Sequence, residues 1–374
     1  MRIIFVNRYF WPDHSATSQM VSDLAFHLAS RGHEVEVITS RQRYDEPGAR
    51  LAPREAVNNV TITRVATTRF GRSMLAARAF DYLTFYASAW LALLVRRGLV
   101  VTMTDPPLMS VVAMFASRRR INWIQDLFPE VAEALGVARG VGLLRGLRDA
   151  SLRSARTNVV LGDVMARRVP WKHVVRHNWA DAALRPIAHD RETFTVGYSG
   201  NLGRAHEFAT IIGAMRLLAT EPSIRFVITG GGAQLESVKR ETSSLGNVEF
   251  RPYAPREQLS ESLSDADVHL ASLQPELEGL IVPSKIYGIL AVARPAIFIG
   301  AANGEIGNML TTNDCGFVVM PGDSAALAAR IRELATDRDR AAAMGLRGRA
   351  LYEERYAPAI ALEHWERIVE EAAR

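Results

Sequence analysis

Short apolar runs alternate with amphipathic stretches along almost the whole chain, and this alternation predicts an α/β fold. Residues 2–7 are typical of a buried strand, residues 18–30 of an amphipathic helix that ends near Gly32, and residues 34–39 of a second strand. A strand, a helix and a strand in that order predict two parallel strands joined by a right-handed crossover. The opening of the chain therefore predicts a parallel sheet covered by helices.

The same alternation continues and then restarts. In the first half, further strands are predicted at residues 61–65, 99–104, 120–125, 157–162 and 173–176. In the second half, they are predicted at residues 194–199, 225–229, 248–251, 268–271, 296–300 and 316–319, before a helical tail at residues 324–374 that breaks near Pro358. A chain of 374 residues also exceeds the roughly 250–300 residues at which single cores stop growing. We expect an N-terminal Rossmann-like domain at residues 1–185, a C-terminal one at residues 186–355 and a C-terminal helix at residues 356–374.

Composition excludes several classes of protein. An apolar fraction of 48% is enough for sizeable cores and excludes a disordered chain. The single cysteine, Cys315, excludes an internal disulfide and fits a reducing cytoplasm. The chain opens on a strand instead of a signal peptide, and its longest uncharged helical run, residues 82–95, is well short of the ~20 residues that span a bilayer. We expect a cytoplasmic protein, soluble or peripheral on the inner face of the membrane.

Charge is divided unevenly between the two halves. Residues 1–190 contain 26 Lys and Arg against 16 Asp and Glu, whereas residues 191–374 contain 19 against 24. A basic half predicts an anionic surface or substrate next to it. No helix-turn-helix, RNP or zinc-finger pattern accompanies the charge, so we expect no nucleic-acid partner. Only three of the 45 basic residues are lysines, which makes each lysine unusual in this chain.

The strongest chemical signal is at residues 195–206, where an apolar strand runs into a glycine-bearing turn. Gly200 and Gly203 have no Cβ, so backbone N–H groups there can approach a bound group closely. We expect a helix to open at Glu207, and a helix N-terminus favours phosphate. The cationic candidates in the turn are Arg204 and His206. The pattern predicts a site for a diphosphate.

Two other loops follow predicted strands. In the glycine turn at residues 229–232, Gly231 again permits close approach to a ligand. The loop at residues 7–17 is long and aromatic and lies at the carboxyl end of the first strand, where open α/β sheets bind ligands. It lacks the three-glycine dinucleotide fingerprint, so NAD binding is disfavoured.

Two carboxylates, Asp126 and Glu130, follow a predicted strand and flank Pro129. Such a pair can orient acceptor hydroxyls or accept a proton from one. Alternatively, Asp126 caps a turn and Glu130 is a solvated residue in the first turn of a helix. For Asp126 the sequence leaves both interpretations open, and for Glu130 it favours the structural one.

Two predicted helices fit either a core or a membrane surface. The first has Tyr82, Phe85, Tyr86 and Trp90 at helical spacing, and a core helix is the simpler interpretation. The alternative is that its aromatic face touches an anionic bilayer, helped by Arg69, Arg72 and Arg78. In the second helix, at residues 143–156, leucines alternate with arginines, which predicts either a solvated basic face or a membrane-surface element.

Taken together, these motifs resemble the retaining GT-B glycosyltransferases of family 4, especially the branch near bacterial cell-surface polysaccharide enzymes. The motifs are the opening loop and helix and the segments at residues 125–130, 197–206 and 283–291. The resemblance covers essentially the whole chain. It implies two Rossmann-like domains facing across a cleft, with the last helix crossing back to the first domain. It also implies that the second domain binds a nucleotide sugar, that the basic first domain binds the acceptor, and that no metal or other cofactor takes part.

The resemblance also assigns donor-site roles to residues. The turn next to the diphosphate is matched by Gly200, Asn201, Gly203 and Arg204. Because Asn201 stands where many relatives carry arginine, Arg204 and His206 are expected to supply more of the positive charge. Lys285 matches the donor-site loop beside Ser284. A lysine in the first turn of a helix is unfavourable with the helix dipole, which favours a phosphate ligand over a surface lysine.

The chain departs from the family pattern at two places. The family usually carries two glutamates, the second of which holds the ribose, and the matching positions here are Leu280 and Gly288. Glu278 is a nearby candidate for a related role. The loop after the first strand lacks the family's glycine pair and offers Ser15 and Thr17 instead, which either hydrogen-bond phosphate on the acceptor side or cap the following helix.

The sequence therefore predicts a retaining glycosyltransferase that moves a sugar from a nucleotide-diphosphate donor, expected to be a UDP-sugar, to a glycan or polyprenyl-diphosphate-linked acceptor. Asp126, Arg204 and Lys285 are the expected catalytic residues, and fixed positive groups would stabilise the leaving diphosphate without a metal. Peripheral membrane contact through the basic first domain is part of this prediction. A sugar-nucleotide epimerase or hydrolase, and a non-catalytic nucleotide-binding partner subunit, are the alternatives. An NAD oxidoreductase is the weakest interpretation because the fingerprint is missing.

Overall fold

The chain folds into two compact units. A computed structural model describes residues 1–13, 15–44, 46, 48, 50–70, 75–189 and 191–374. The first unit combines Met1–His177 with Ala361–Arg374, and the second is Asn178–Ile360. The first boundary lies at His177 instead of residue 185, because the intervening segment packs on the second unit: the Arg185 N–H donates to Oγ of Ser260 at 3.3 Å.

The first unit is built on an eight-stranded sheet with the order β3-β4-β2-β1-β5-β6-β7-β8. Its strands are β1 (Arg2–Val6), β2 (Glu34–Ser40), β3 (Arg54–Val57), β4 (Val60–Val65), β5 (Leu99–Thr102), β6 (Arg120–Trp123), β7 (Thr157–Val160) and β8 (His173–Val175). All neighbours are parallel except β3 and β4, which form an antiparallel hairpin. The sequence analysis missed β3. Asn58 and Asn59 at the hairpin turn have positive φ, a conformation that asparagine tolerates, and were the available signal.

Helices follow most strands of the first unit. They are α1 (Ala16–Ser30), α2 (Leu75–Leu94), α3 (Met109–Met114), α4 (Glu130–Ala134), α5 (Gly142–Arg153) and α6 (Asp163–Ala166). One core cluster of this unit joins Ile4 and Val6 of β1 to Phe85, Ala89 and Leu93 of α2. One face of α2 is therefore a core face, as the simpler interpretation predicts.

The second unit has a six-stranded parallel sheet with the order β11-β10-β9-β12-β13-β14. Its strands are β9 (Phe194–Ser199), β10 (Ile224–Thr229), β11 (Val248–Arg251), β12 (Val268–Ser272), β13 (Ala296–Ile299) and β14 (Gly316–Val319). Its helices are α7 (Ala209–Leu217), α8 (Leu235–Glu241), α9 (Leu259–Ser264), α10 (Lys285–Ala291), α11 (Glu305–Thr312), α12 (Ser324–Thr336) and α13 (Arg338–Leu351). These strands lie within a residue of the predicted ones. The prediction of two parallel-sheet α/β domains is confirmed.

The helical tail ends by joining the first unit. A π-helical turn at Tyr352–Tyr356 leads to an extended Ala357 and then to α14 (Pro358–Ala373). On α14, the Trp365 ring lies 4.4 Å from the ring of Trp123 on β6, and Glu366 pairs with Nε of Arg31 at 3.1 Å. The last helix therefore packs on the sheet of the first unit.

Strand order decides which loops meet. In the first sheet β1, β5 and β6 are adjacent and parallel, so the loops after them emerge at one edge. In the second sheet β10, β9 and β12 are likewise adjacent and parallel. Ligand sites of open α/β sheets lie at such carboxyl edges. Each unit therefore has one edge at which its candidate site residues collect.

Candidate active site

Two glycine turns interlock at the carboxyl edge of the second sheet. Gly200 follows β9 with φ +124°, and its N–H donates to the carbonyl of Thr229 on β10 at 2.9 Å. The Leu202 N–H donates to the carbonyl of Gly231 at 2.7 Å. A Cβ at Gly230 would overlap the carbonyl oxygen of Gly200, so the two turns can pack this closely only without side chains. The structure thus brings the predicted residues Gly200, Asn201, Gly203 and Gly231 together.

The helix after this turn begins later than the sequence predicts. α7 opens at Ala209, and the carboxylate of Glu207 accepts from the Thr210 N–H at 3.0 and 3.2 Å. An anionic side chain therefore already occupies the start of the helix, where the dipole favours negative charge. The expectation of a helix opening at Glu207 is wrong. In the first turn of α7, the Thr210 N–H already has a partner, the Glu207 carboxylate. A phosphate at this edge would meet the turn and the cations beside it.

Lys285 supplies the buried cation of the site. It begins α10, and its stem is partly exposed, but its Nζ atom is buried and has no hydrogen-bond partner among the described residues. Nζ lies 3.6 Å from the ring centroid of Tyr198 on β9, and a Cβ at Gly200 would lie 3.6 Å from Nζ. Burial holds the pKa of this ammonium well below its usual range. An uncompensated amine beside a glycine turn fits an incoming anion, and the alternative of a surface lysine is wrong for the Nζ atom.

Arg204 and His206 differ in what they can offer. Arg204 is exposed, and its guanidinium makes no hydrogen bond or ion pair within the described part of the chain. The Nδ1 atom of His206 lies 2.6 Å from the carbonyl oxygen of Ser272, which requires Nδ1 to donate. Burial and, next, the charge of Lys285 lower the pKa of His206 to about 4. The expectation that His206 adds positive charge is therefore wrong at neutral pH. Arg204 remains the cationic candidate within the turn.

Gly288 stands at the position where the family usually has the carboxylate that holds the ribose, and Glu278 is the nearby candidate for a related role. The Oε1 atom of Glu278 accepts from the backbone N–H of Glu305 at 2.8 Å, at the start of α11. Gly288 is buried within α10, and a Cβ there would lie 3.4 Å from Cδ1 of Leu263. A carboxylate at position 288 would enter apolar surroundings, which is costly. The neighbouring Ser284 is the N-cap residue of α10 and makes no cap hydrogen bond.

Asp126 lies at the carboxyl edge of the first sheet, just beyond β6. It is exposed and makes no hydrogen bond or ion pair that involves described residues. Protein atoms packed around it raise the pKa of its carboxyl to about 6 by desolvation, and the Asp105 carboxylate beyond β5 adds repulsion. A small pocket next to it is lined by Thr102, Asn122 and Arg148, among others. An exposed carboxylate with a raised pKa can accept a hydrogen bond or a proton from a hydroxyl.

The other residues predicted on the acceptor side are Glu130, Ser15 and Thr17, and of these Glu130 forms ion pairs within the first unit. Glu130 begins α4, and its Oε1 accepts from Nε of Arg145 at 3.1 Å and from Nη2 of Arg148 at 2.5 Å. These ion pairs support the structural interpretation of Glu130. Ser15 is the N-cap residue of α1, but its hydroxyl makes no cap bond and has no described partner. Thr17 lies partly exposed in the first turn of α1.

Three side chains that support these loops were missed by the sequence analysis. Tyr198 lies under the Lys285 ammonium. Gln234 donates through Nε2 to the carbonyls of Gly203 and His206, at 2.6 and 3.0 Å. Asp13 is buried and accepts from the N–H groups of Ser15 and Tyr44. No local pattern marks the first two; Asp13, two residues before Ser15, had the spacing of an Asx turn.

Among the described residues, one group of possible metal ligands comes together, His33, Glu366 and Glu370, between the loop after α1 and α14. His33 is more than 300 residues from Glu366 and Glu370, which are four residues apart on α14, so the sequence gave no signal for the cluster. Arg31 and His27 already lie 3.1 and 3.5 Å from the Glu366 carboxylate. The cluster therefore has at least one cationic partner within the fold, Arg31.

Comparison with known proteins agrees with this arrangement. A glycosyl transferase 4-like domain matches residues 15–180, and the glycosyl transferases group 1 domain matches residues 181–351. The chain is 25% identical to WcaI of Escherichia coli (strain K12), named for colanic acid biosynthesis, over 89% of this chain and 92% of that one. It is 27% identical to WbjE of Pseudomonas aeruginosa, named as a glycosyltransferase, over 72% and 73%.

Solved structures share the fold across the full length. Sucrose-phosphate synthase from Thermosynechococcus elongatus superposes with a TM-score of 0.78 at 17% identity, over 99% of this chain and 98% of that one. HepE of Anabaena, in complex with UDP and glucose, superposes with a TM-score of 0.72 at 13% identity, over 98% and 99%. The fold and the two matched domains define a glycosyltransferase of the GT-B class. The chain belongs to the family-4 glycosyltransferases.

Proposed function

We propose that this glycosyltransferase retains the anomeric configuration of its donor, uses a UDP-sugar, and acts on a glycan or polyprenyl-diphosphate-linked acceptor in bacterial cell-surface polysaccharide synthesis. The observation that carries the donor assignment is the buried, unpartnered ammonium of Lys285 beside the Gly200 turn. The relative WcaI supports the pathway class, WbjE supports a glycosyltransferase, and the HepE complex supports UDP.

The leaving diphosphate gains negative charge as its bond to the sugar breaks. Lys285 beside Gly200 and the exposed Arg204 supply positive charge near that turn, so transfer does not require a metal in this proposal. The Asp126 carboxylate orients the acceptor hydroxyl, and the departing phosphate oxygen takes its proton. No other cofactor is needed for this chemistry.

A lipid-linked acceptor would be met at the inner face of the membrane. The excess of basic residues in residues 1–190 supports peripheral contact there, since anionic headgroups attract arginine. We therefore propose a cytoplasmic protein that binds the membrane through its first unit.

Measured UDP binding and product formation test the assignment in wild type and in two variants. Lys285→Ala and Arg204→Ala each remove a charged contact, so each should weaken UDP binding by roughly 10- to 100-fold and abolish transfer. Thermal shift with UDP measures the first effect, and chromatography of acceptor products measures the second. Lys239→Ala is the matched control, because Lys239 is an exposed lysine paired with Glu236 at 3.2 Å.

Near-normal transfer in either site variant contradicts the site. Free sugar or an epimer formed without any acceptor favours a hydrolase or epimerase, and UDP binding without turnover over a broad acceptor screen favours a non-catalytic subunit. The anomeric proton coupling of the product, measured by NMR, decides between retention and inversion.

A further inference from the structure

The helix α2 is apolar on the face that points to solvent. Its core face carries Phe85, Ala89 and Leu93, all buried. Its outer face carries Phe80, Leu83, Ala87, Leu91 and Leu94, which recur at helical spacing. Leu83 and Leu91 are 60% and 59% exposed. A helix that is apolar all round normally lies in a protein core or in a membrane, and this one has only half of its surface in a core.

The exposed apolar surface extends beyond the helix. Phe70 packs edge-on against Phe80, with ring centroids 6.3 Å apart, and both rings are exposed. Val95 continues the stripe at the end of α2, and Phe115 is exposed at the end of α3, which packs on α2. Contiguous apolar patches of this kind mark interaction sites in soluble proteins.

The stretch of chain that carries this surface is rich in arginine and poor in carboxylates. Residues 66–119 contain seven arginines and two aspartates. On α2 itself the single carboxylate, Asp81, is buried and lies 3.6 Å from the Arg8 guanidinium. Arg97, Arg118 and Arg119 are exposed and make no side-chain ion pair that involves described residues. Arg72 lies outside the described residues. The segment that carries the patch therefore has a net positive charge, which complements an anionic surface and disfavours pairing with a second copy of itself.

The other candidate helix, α5, exposes a smaller set of large apolar side chains, Leu143 and Leu144. On α5, Arg145 is paired with Glu130 and Glu133, and Arg148 with Glu130 and Asp149. Their charge is neutralised within the fold. Of the aromatic residues first considered on α2, Phe85 is buried and the Tyr86 hydroxyl donates to the carbonyl of Pro107, whereas Trp90 is 37% exposed. No helix in the described part of the chain is long and apolar enough to cross a bilayer.

We propose that α2 lies flat in the interface of an anionic bilayer, with Phe80, Leu83, Leu91 and Leu94 below the headgroups and Arg97, Arg118 and Arg119 among them. An amphipathic element binds in this way through its buried apolar area and its attraction to anionic lipid. The inference rests on the proposed membrane contact of the first unit and is independent of the transfer reaction.

Vesicle co-sedimentation tests this surface. Phosphatidylcholine vesicles with and without phosphatidylglycerol are mixed with wild type, with Leu83→Glu/Leu91→Glu, and with Leu217→Glu/Leu346→Glu. The last variant is matched, because Leu217 and Leu346 are exposed leucines of the second unit and the net charge changes equally. We expect wild type and the control to bind the anionic vesicles, and the α2 variant to bind them more weakly by at least roughly tenfold. Arg118→Gln/Arg119→Gln should reduce the dependence on anionic lipid.

Other outcomes overturn the proposal. It is wrong if the α2 variant binds like wild type, or if the control loses binding equally. A concentration-dependent dimer that disappears in the α2 variant, with no vesicle binding by wild type, assigns the patch to self-association. UDP binding measured on the same samples separates the two proposals. The α2 variant should retain UDP binding. If wild type itself does not bind UDP, only the transferase assignment is contradicted.

Discussion

A buried amine without a hydrogen-bond partner is costly to a fold, and Lys285 carries one beside the Gly200 turn, over the ring of Tyr198. Burial holds the pKa of Lys285 well below its usual range, so the fold itself disfavours the charged form of this amine. An arriving diphosphate restores the stability of the charged form. His206, with a pKa of about 4, keeps its neutral ring bonded to Ser272 and leaves the role of cation to Lys285 and Arg204.

At Asp126, the ionised form of the side chain is the one that would orient the acceptor hydroxyl. Its pKa of about 6 lies above the usual range, so the ionised fraction falls as pH is lowered through 6. We expect kcat/KM for transfer to fall about tenfold per pH unit below about 6, and Asp126→Asn to be slow and to lack this limb. Asp339→Asn, an exposed carboxylate of the second unit, is the control and should keep the wild-type profile.

The same carboxyl has a second measurable effect. Because its pKa is raised in the folded state, the folded protein prefers the protonated form, and the free energy of unfolding falls as pH rises from the ordinary carboxyl range to about 6 and stays lower above that pH. Asp126→Asn should therefore raise Tm at pH 8 more than at pH 5. An unchanged pH–rate profile in Asp126→Asn together with this Tm effect would reduce Asp126 to a structural residue.

At the scale of the element, the start of α7 illustrates how a side chain replaces a ligand. Glu207 accepts from the Thr210 N–H, so the helix dipole is already compensated. The turn at Gly200, held by its hydrogen bond to Thr229, is left to approach the anion. In the proposed donor site, placement of the anion would therefore depend on the turn and on Lys285.

Glu207→Ala tests this division of roles. Loss of the cap should lower the free energy of unfolding by about 1 kcal/mol, measured by denaturant unfolding, and leave UDP affinity within roughly twofold of wild type. Glu257→Ala, at an exposed position of the same unit, should change neither. A large loss of UDP affinity in Glu207→Ala would contradict this division of roles and indicate that the start of α7 takes part in donor binding.

At the scale of the whole molecule, the chain leaves the first unit at His177 and returns to it at Ala361. α14 packs Trp365 against Trp123 of β6, and both side chains are buried. A tail of 14 residues at the end of the sequence is therefore part of the core of the unit with which the chain begins.

Trp365→Ala should lower the free energy of unfolding of the first unit by about 3–5 kcal/mol, because a large buried side chain is replaced by a cavity. Hydrogen exchange should show the loss in β6 and α14, while the second unit keeps its UDP-induced stabilisation. Glu363→Ala, exposed on the same helix, is the control. Equal protection of β6 in Trp365→Ala and wild type would contradict the packing role.

Much of the fold could be predicted because apolar periodicity depends on near neighbours in the chain. The alternation of strands and helices, the restart at Phe194 and the break at Ala357 are all local signals, and the structure contains them. Gly200, Gly203 and Lys285 stood out for the same reason, since two lack a Cβ and the third is rare in this chain. Such features determine secondary structure and the residues that a ligand can approach.

Burial and pairing were decided only by the tertiary structure. Whether His206 is charged depends on the Ser272 carbonyl, whether Glu130 is free depends on two arginines of α5, and which face of α2 is exposed depends on the first sheet. Ser272 is 66 residues from His206, the two arginines are 15 and 18 residues from Glu130, and the first sheet is a separate element from α2, so no local pattern contains these partners. The sequence by itself determined the elements and the chemical types at their ends; the tertiary structure decided which of those groups keep their charge, because desolvation and counter-charges act through space.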